Sequence, residues 1–342
     1  MAPSASAPSA NDSDPPFGHQ PRGLLFVAFP GMSVLDLTGP QTAFWAASRY
    51  ARERGLAGYQ IHLASEHGGL TASAEGTSMD TLPLAAIDLR RIDTIVLPGA
   101  PEMITLLDSA ASLVAWLRQA AAQVPRVASV CSGAFLLAQA GLLDGKRAAT
   151  HWAMHAAFRA RFPAVTLDHD AIFVRQDRIW TSAGVTTGID MALALVEADY
   201  GHDISLSAAR ELAVFIKRPG GQPQLSEMLL TQSRQVPLFE ALHLWIVENL
   251  SRETLSVEQL AEQAGMSPRN FARVYKQQTG RTPAKGVEHF RLEAARRLLQ
   301  DPHRPVDQIA RQCGFGSEER MRLTFQRHLG VSPSAYRAGV AG

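Results

Sequence analysis

The sequence has few cysteines and no long apolar runs. Its 342 residues include only two cysteines, Cys131 and Cys313, in unlike surroundings. This scarcity excludes a disulfide framework and favours a reducing cytoplasm. No apolar run approaches the length of a membrane span, and the N-terminus lacks the charged start and apolar stretch of a secretion signal. We therefore expect a cytoplasmic protein with no membrane partner.

The net charge is also small, at +1, but it is unevenly distributed. Residues 238–342 contain fifteen Lys and Arg against eleven Asp and Glu, whereas the preceding residues contain eighteen against twenty-one. A basic excess confined to the C-terminal part fits a module that faces phosphates. Residues 1–21 are rich in Pro, Ser, Ala and Asp, which predicts a disordered tail.

Residues 22–216 alternate short apolar, β-branched runs with longer helical patterns. The runs that read as strands lie at 23–29, 59–65, 93–99, 126–131 and 178–183. The helical patterns cover Leu37–Ala51, Met103–Ala122, Ser132–Ala140, Trp152–Phe162 and Thr186–Tyr200. Such alternation indicates a mostly parallel sheet with helices on both faces. We therefore predict a flavodoxin-like α/β domain over residues 22–216.

Proline and paired glycine interrupt the helical pattern after this domain. A helical stretch follows Tyr200 to about Ile216, and residues 217–237 then read KRPGGQPQLSEMLLTQSRQVP. Because Pro and Gly-Gly oppose regular structure, we predict a linker over 217–237, with a short helix around 225–231. Residues 238–338 are predicted to form a second, all-α domain.

One strand-to-helix junction in the α/β domain carries groups capable of chemistry. In RVASVCSGAF a strand ends at Val130, Cys131 follows, and a helix begins at once. Backbone N–H groups at a helix start favour a thiolate. His151 ends another short strand, and Asp36 follows the first strand at the edge where open α/β sheets bind ligands. The alternative is a small buried core cysteine and a structural histidine.

These residues resemble the ThiJ/PfpI, class I glutamine-amidotransferase-like superfamily. The resemblance rests on SVCSGAF, the segment at His151 and the acidic Asp36. In enzymes of the superfamily the cysteine is the nucleophile, and Asp in place of Glu resembles the branch that includes isocyanide hydratases and many regulators. Cys131, His151 and Asp36 are thus the catalytic candidates if the domain is active. We expect a ligand-sensing pocket without turnover instead, lined by Asp36, Cys131, Ser132, His151 and Gly184.

Residues 255–334 contain one helical unit twice, at an offset of about fifty. Ala261, Ala264 and Gly265 recur as Ala310, Cys313 and Gly314, and Ser267, Phe271, Tyr275, Gly280 and Pro283 recur as Ser317, Met321, Phe325, Gly330 and Pro333. Each copy reads as a short helix, a glycine turn and a second helix that begins at a serine cap. The helix after Pro283 should span about 25 Å, comparable with one DNA turn of about 34 Å. The repeat therefore predicts two helix-turn-helix units in tandem.

The second helix of each copy presents polar residues on its outer face. In the first copy these positions are Arg269, Ala272, Arg273 and Lys276, and in the second they are Glu318, Glu319, Arg320 and Arg322. Arg and Lys bind guanine edges and phosphates, Ala contacts a thymine methyl, and Glu accepts from cytosine N4. The glutamates have a second interpretation, in which they only stabilise the helix N-terminus.

The repeat resembles the DNA-binding domain of the AraC/XylS family. Both copies, the helix between them and the closing segment GFGSEERMRLTFQRHLGVSPSAYR carry the resemblance. One departure is Leu323, at a position where relatives often have arginine. Together the two domains resemble GlxA-type regulators with a ThiJ/PfpI domain.

The combined resemblance implies a transcriptional regulator, which we expect to be an activator, although the sequence does not distinguish activation from repression. It would bind promoter double-stranded DNA and RNA polymerase as a homodimer and respond to a small nitrogenous metabolite, and no cofactor or metal is expected. Two other functions remain open. One is a cysteine-dependent hydratase or hydrolase fused to a DNA-binding module, and the other is a constitutive DNA-binding protein with a structural N-terminal domain.

Overall fold

The computed structural model describes residues 20–214, 217–222, 224, 237–252, 254–299, 301 and 303–341. Most of the predicted tail and the helix expected around 225–231 lie outside these residues. The strands of the N-terminal domain are β1 (Arg22–Val27), β2 (Tyr59–Ser65), β3 (Gly69–Ala72), β4 (Ser78–Pro83), β5 (Thr94–Leu97), β6 (Arg126–Val130), β7 (Arg147–Ala148), β8 (Thr166–Leu167), β9 (Phe173–Gln176) and β10 (Ile179–Ser182). Its helices are α1 (Val34–Glu53), α2 (Met103–Ser109), α3 (Ala111–Ala121), α4 (Ala134–Gln139), α5 (His155–Arg161), α6 (Thr186–Tyr200) and α7 (His202–Glu211).

Eight strands form one sheet, in the order β3-β4-β2-β1-β5-β6-β10-β9. The six inner strands run parallel, and β3 and β9 pair antiparallel at the two edges. Strand β1 is buried along nearly its whole length, as expected for an inner strand that helices cover on both faces. The predicted mostly parallel α/β fold is therefore confirmed.

Two local features differ from the sequence-based prediction. The helix expected over Met103–Ala122 is two helices, which break at Ala110. Ser109 Oγ donates to the carbonyl of Leu106 (3.0 Å), and such a bond at a helix end competes with the backbone ladder. The β3–β4 hairpin was missed because its alternating residues are mostly polar or half exposed, which gives little apolar signal.

The C-terminal region is helical, as predicted. Its helices are α8 (Pro237–Glu248), α9 (Val257–Gln263), α10 (Pro268–Thr279), α11 (Pro283–Leu298), α12 (Val306–Gln312), α13 (Glu318–Leu329) and α14 (Pro333–Ala341). Two small cores form around the long α11. One contains Phe271, Tyr275 and Phe290, and the other contains Met321 and Phe325. Each copy of the repeat therefore has its own core. None of the described helices combines the length and the apolar character needed to span a bilayer.

Candidate functional site

The carboxyl ends of four neighbouring strands bring the predicted site residues together. Strands β1, β5, β6 and β10 are adjacent and parallel in the sheet. Asp36 follows β1, and Cys131 directly follows β6. Gly184 follows β10, and its backbone lies against Cys131. This edge is the usual ligand position in open α/β sheets.

Asp36 connects two of these strand ends. Its carboxylate is fully buried and accepts from the backbone N–H groups of Gly99 (3.1 Å) and Val185 (2.7 Å). Burial raises the pKa of Asp36 above its ordinary value, although both hydrogen bonds act in the opposite direction. The carboxylate therefore fixes the loop after β5 and the loop after β10 around the site.

The backbone at Cys131 is held in an uncommon conformation. Its φ is 57°, in the left-handed region that residues other than glycine rarely adopt. Gly184, at φ 109°, lies so close that an added Cβ would be 2.5 Å from Cys131 Cβ and 2.8 Å from Sγ. Strain of this kind is often stored at functional sites. Gly184 is therefore required by close contact with Cys131 as well as by its own backbone conformation.

At Cys131, burial outweighs the N–H groups of the helix start, which favour a thiolate. Burial raises the pKa of the Cys131 thiol to about 12, and the neighbouring Asp36 carboxylate adds to the effect. The N–H groups at the start of α4 do not compensate, although backbone hydrogen bonding from Ser132 acts in the expected direction. At neutral pH the site therefore holds a protonated thiol beside a buried carboxyl group.

His151 adjoins the site through its neighbour Thr150. Its ring Nδ1 accepts from Ala153 N–H (3.4 Å), and burial lowers the pKa of the imidazole. Within the described part of the chain, no hydrogen bond joins the His151 ring to Cys131 or Asp36. Its neighbour Thr150 instead donates through Oγ1 to the Cys131 carbonyl (2.9 Å). The structure therefore links the His151 segment to Cys131 through Thr150, and the described residues show no hydrogen-bonded triad of Cys131, His151 and Asp36.

Ser132 has a structural role in this arrangement. Its Oγ accepts from Ala100 N–H and donates to Ala100 C=O, both at 2.8 Å. These two bonds hold the loop after β5 against the Cys131 turn. A ligand contact through Ser132 Oγ would have to replace or share them, so the side chain is better suited to shaping the pocket.

Two residues that shape the site were not identified from the sequence. Val185, with φ 50°, donates its N–H to Asp36, and no side-chain pattern marks such a backbone role. Glu75, from the loop between β3 and β4, accepts from Ser33 Oγ and Val34 N–H, both at 3.0 Å. The bond to Val34 contributes most to lowering the pKa of Glu75. Glu75 therefore holds the start of α1, the helix that carries Asp36.

The C-terminal domain forms two helix-turn-helix units. Helices α9 and α10 form the first, with Gly265 in the turn (φ 63°), and α12 and α13 form the second, with Gly314 (φ 73°). Each second helix ends at a left-handed glycine, Gly280 or Gly330. Ser317 caps α13 through its side chain, but Ser267 makes no side-chain cap bond to α10, which corrects the cap expected there.

The predicted DNA-facing residues are accessible on both units. On α10, Arg269, Arg273 and Lys276 are exposed and Ala272 is half-buried, and Arg273 donates to Asn270 Oδ1 (2.9 Å). On α13 all four predicted positions are exposed, namely Glu318, Glu319, Arg320 and Arg322. Arg322 donates twice to Glu319 (2.7 and 2.8 Å), so this glutamate orients a cation in addition to lying in the first turn.

Comparison with known proteins identifies both parts of the chain. Residues 22–198 match the DJ-1/PfpI family, which is more than half of the chain, and residues 260–339 match a helix-turn-helix domain. The chain belongs to the DJ-1/PfpI family and carries an AraC-type helix-turn-helix domain. This combination agrees with the resemblance inferred from the Cys131 junction and the tandem repeat.

Transcriptional regulators are similar to this DJ-1/PfpI family protein over most of its length. The HTH-type transcriptional regulator Rv1931c of Mycobacterium tuberculosis is 30% identical over 262 residues, which are 73% of this chain and 96% of that protein. The HTH-type transcriptional regulator CdhR of Pseudomonas aeruginosa is 26% identical over 316 residues, or 92% of this chain and 90% of that protein. The chain is therefore an AraC-type DNA-binding transcriptional regulator with a PfpI-like ligand domain.

The N-terminal domain alone is also similar to an enzyme. Isonitrile hydratase of Pseudomonas putida is 34% identical over 179 residues, covering 52% of this chain and 72% of that protein. A solved THiJ/PfpI family protein from Pseudomonas syringae has 25% identity and a TM-score of 0.52, over 65% of this chain and 86% of that chain. Relatives of this domain therefore include both transcriptional regulators and an enzyme.

Proposed function

We propose that the protein activates transcription by binding promoter DNA through α10 and α13 in response to a small effector bound at the Asp36–Cys131 edge. The observation that carries this proposal is the tandem arrangement of two separately packed helix-turn-helix units, each with an exposed polar helix. The long α11 lies between them and contributes residues to both cores. Such an arrangement suits two neighbouring major-groove segments.

On the first unit, Arg269, Arg273 and Lys276 would contact guanine edges or phosphates, and Ala272 a thymine methyl. On the second unit, Arg320 and Arg322 would do the same. Glu319 would hold Arg322 in a fixed orientation, which favours bidentate recognition because less side-chain freedom is lost on binding. Glu318 stays available to stabilise the start of α13 or to accept from cytosine.

The effector would bind above Cys131, between the loops that Asp36 connects. Asp36, Cys131 and Gly184 would line its inner end, Ser132 would keep the pocket in shape, and His151 would lie at its rim. A neutral thiol beside a buried carboxyl group can hydrogen-bond polar ligand groups without reacting with them. On the basis of the AraC-type resemblance, we further propose that the effector is a nitrogenous metabolite and that the protein is a cytoplasmic homodimer. We also propose that it contacts RNA polymerase.

A footprinting experiment tests the DNA-binding part of the proposal: the full chain, bound to the neighbouring promoter, should protect a stretch of that DNA from nuclease cleavage. Arg269→Ala should weaken binding by about 1–3 kcal/mol and relax specificity at one base pair if the side chain reads a base. The matched control is Arg90→Ala, since Arg90 is an exposed arginine of the other domain, paired with Asp88. A full chain that protects no promoter sequence would exclude the proposal.

A thermal-shift screen of amines, amino acids and quaternary ammonium compounds tests the effector part. A ligand at a hundred times its Kd should add about 2.7 kcal/mol to the stability of the domain that binds it. The same ligand should lose this effect in Gly184→Ala, because the added Cβ would overlap Cys131. Retention of the full shift in that variant would place the effector elsewhere.

The second candidate function is a cysteine-dependent hydratase. The 34% identity to isonitrile hydratase and the strained backbone at Cys131 favour it. The pKa of about 12 for the Cys131 thiol opposes it, because a neutral thiol is a weak nucleophile. Among the described residues, His151 also makes no hydrogen bond to Cys131 through which it could activate the thiol. Incubation with isocyanides separates the two functions, since hydration that disappears in Cys131→Ser would establish the enzyme.

A further inference from the structure

A short segment after the N-terminal domain is bound tightly to that domain. This strap comprises residues 217–222. Arg218 donates to the buried Asp190 of α6 through its backbone N–H (2.9 Å), Nε (3.0 Å) and a terminal nitrogen (2.6 Å). The carbonyl of Gly220 accepts from Ile172 N–H (2.8 Å) just before β9. An added Cβ on Gly220 would lie 2.5 Å from the Phe173 carbonyl oxygen, so the strap packs directly on the edge strand.

The same strap also contacts the DNA-binding domain. Tyr336 of α14 donates its hydroxyl to the Gly221 carbonyl (2.7 Å), and Arg296 of α11 donates to the same oxygen. Arg296 Nε also donates to Tyr336 Oη (3.1 Å), and its guanidinium pairs with Asp170 of the N-terminal domain (3.5 Å). The Arg296 side chain is only 7% exposed. A guanidinium buried to this extent needs such partners, and two of them, Gly221 and Asp170, lie outside the DNA-binding domain.

The contact lies close to the second DNA-reading helix. A cleft of about 810 Å³ separates the domains beside the strap, with Trp180 and Arg218 on one side and His328 and Leu329 on the other. His328 and Leu329 end α13. Docking through Arg296 and Tyr336 therefore sets the position of the second helix-turn-helix unit relative to the N-terminal domain.

The strap also connects to the candidate effector site. Val185 N–H binds Asp36, and α6, which carries Asp190, begins at the next residue. On the other side, Ala183 N–H donates to the Ile172 carbonyl (2.7 Å), and Ile172 N–H binds the strap. The peptide 183–186, which packs against Cys131, is thus linked to the strap in two ways. One runs along the first turn of α6 to Asp190, which binds Arg218, and the other runs through the hydrogen bonds of Ile172.

We propose that residues 217–222 form a docking latch, through which the effector site controls the position of the second helix-turn-helix unit. The regulatory half of this inference rests on the proposed function. An effector that shifts peptide 183–186 would favour either the docked or the undocked arrangement, provided that it binds the two with different affinity. Docking itself is independent of any effector and can be tested without one.

Hydrogen exchange of the full chain, without ligand, tests the docking. Gly220→Ala should displace the strap from Phe173, and Tyr336→Phe should remove the hydroxyl that binds Gly221. Both should speed exchange at Ile172 and Phe173 at least threefold, while amides of the α10 and α12 cores stay protected and show that the domains remain folded. The control is Asp177→Asn, which breaks the Lys146–Asp177 ion pair (2.9 Å) in the turn beside β9 and leaves the junction intact. Less than a threefold change in both variants would exclude docking.

Promoter affinity of the same proteins tests the regulatory half. Gly220→Ala and Tyr336→Phe should change the Kd in the same direction by at least threefold, and Asp177→Asn should not. Faster exchange with an unchanged Kd, or opposite changes in the two variants, would overturn the latch as a regulatory device. If the wild-type chain binds no promoter DNA, the proposed function fails, and hydrogen exchange alone decides whether the domains dock.

Discussion

At the scale of single residues, Cys131 shows that a sequence position alone does not set a thiol's reactivity. The strand-to-helix junction was correctly located from the sequence, but the effect of the helix start on the thiol is smaller than the effect of burial. Burial and the Asp36 carboxylate determine the pKa of the thiol, and both depend on contacts between segments far apart in the chain. Such contacts leave no local pattern in the sequence.

We expect the Cys131 thiol to alkylate slowly at pH 8. A pKa of about 12 lies three units above the ordinary value of 9.0, which lowers the thiolate fraction roughly a thousandfold. The alkylation rate should keep rising with pH up to at least pH 10, whereas the unfolded chain should level off near its ordinary pKa. Mass spectrometry of the peptides containing Cys131 and Cys313 measures the two thiols separately.

Asp36→Asn provides the variant for this experiment, because it removes the negative charge beside the thiol. The pKa of Cys131 should fall but stay above its ordinary value, since burial is the larger cause. Alkylation at pH 8 should therefore become several-fold faster, with no such change in Asp80→Asn on the exposed side of β4. A wild-type rate that levels off below pH 9 would show that the raised pKa is incorrect.

At the scale of elements, the two helices of the first helix-turn-helix unit begin in different ways. Ser256 forms a capping box with Gln259, in which each side chain binds the other's backbone N–H (3.3 and 3.0 Å). Ser267 precedes Pro268 at the start of α10 without a side-chain bond. Proline in the first turn already fixes φ and lacks an N–H, so the start of α10 depends less on a cap.

This difference predicts unequal effects of two otherwise similar substitutions. Ser256→Ala should lower the free energy of unfolding of the C-terminal domain by about 1 kcal/mol, because the backbone N–H of Gln259 loses the Ser256 hydroxyl that it binds. Ser267→Ala should cost less than about 0.3 kcal/mol, as expected when no cap bond is lost. Urea dependence of hydrogen exchange in α10 reports this domain selectively, and equal losses in both variants would contradict the assignment.

The elements that were predicted well are those with strong apolar periodicity. Five of the six inner strands (β1, β2, β5, β6 and β10) and the repeated helix pair were found because burial on one or both faces fixes their residue pattern. The break at Ala110 and the β3–β4 hairpin were missed, because a single serine hydroxyl and a mostly polar edge pair determine them. The structure brings Asp36, Cys131 and Gly184 to one sheet edge, as strand order implies, whereas Val185 acts through its backbone and has no signal in the sequence.

At the scale of the whole molecule, the excess positive charge and the ion pairs of the strap lie in different domains. The basic excess lies in the domain that carries the exposed helices α10 and α13. Among the described residues the strap has two ion pairs, Lys217 with Glu197 and Arg218 with Asp190, and both join it to the N-terminal domain. Electrostatic attraction to DNA therefore acts mainly on the C-terminal domain. The contact between Tyr336 and Gly221 then determines the position of the N-terminal domain relative to it.

The departure at Leu323 offers a measurement of how the whole molecule meets DNA. Leu323 is 47% exposed on α13, so Leu323→Arg should add a cation to the reading face without disturbing the core. If the new side chain reaches a phosphate, promoter affinity at low salt should rise, and the slope of log K against log salt should become steeper by about 0.9. Leu70→Arg, at a 79% exposed position on β3, adds the same charge to the other domain and should change the slope far less. Equal slopes for Leu323→Arg and the wild type, measured by titration with labelled promoter DNA, would mean that this face of α13 points away from the duplex.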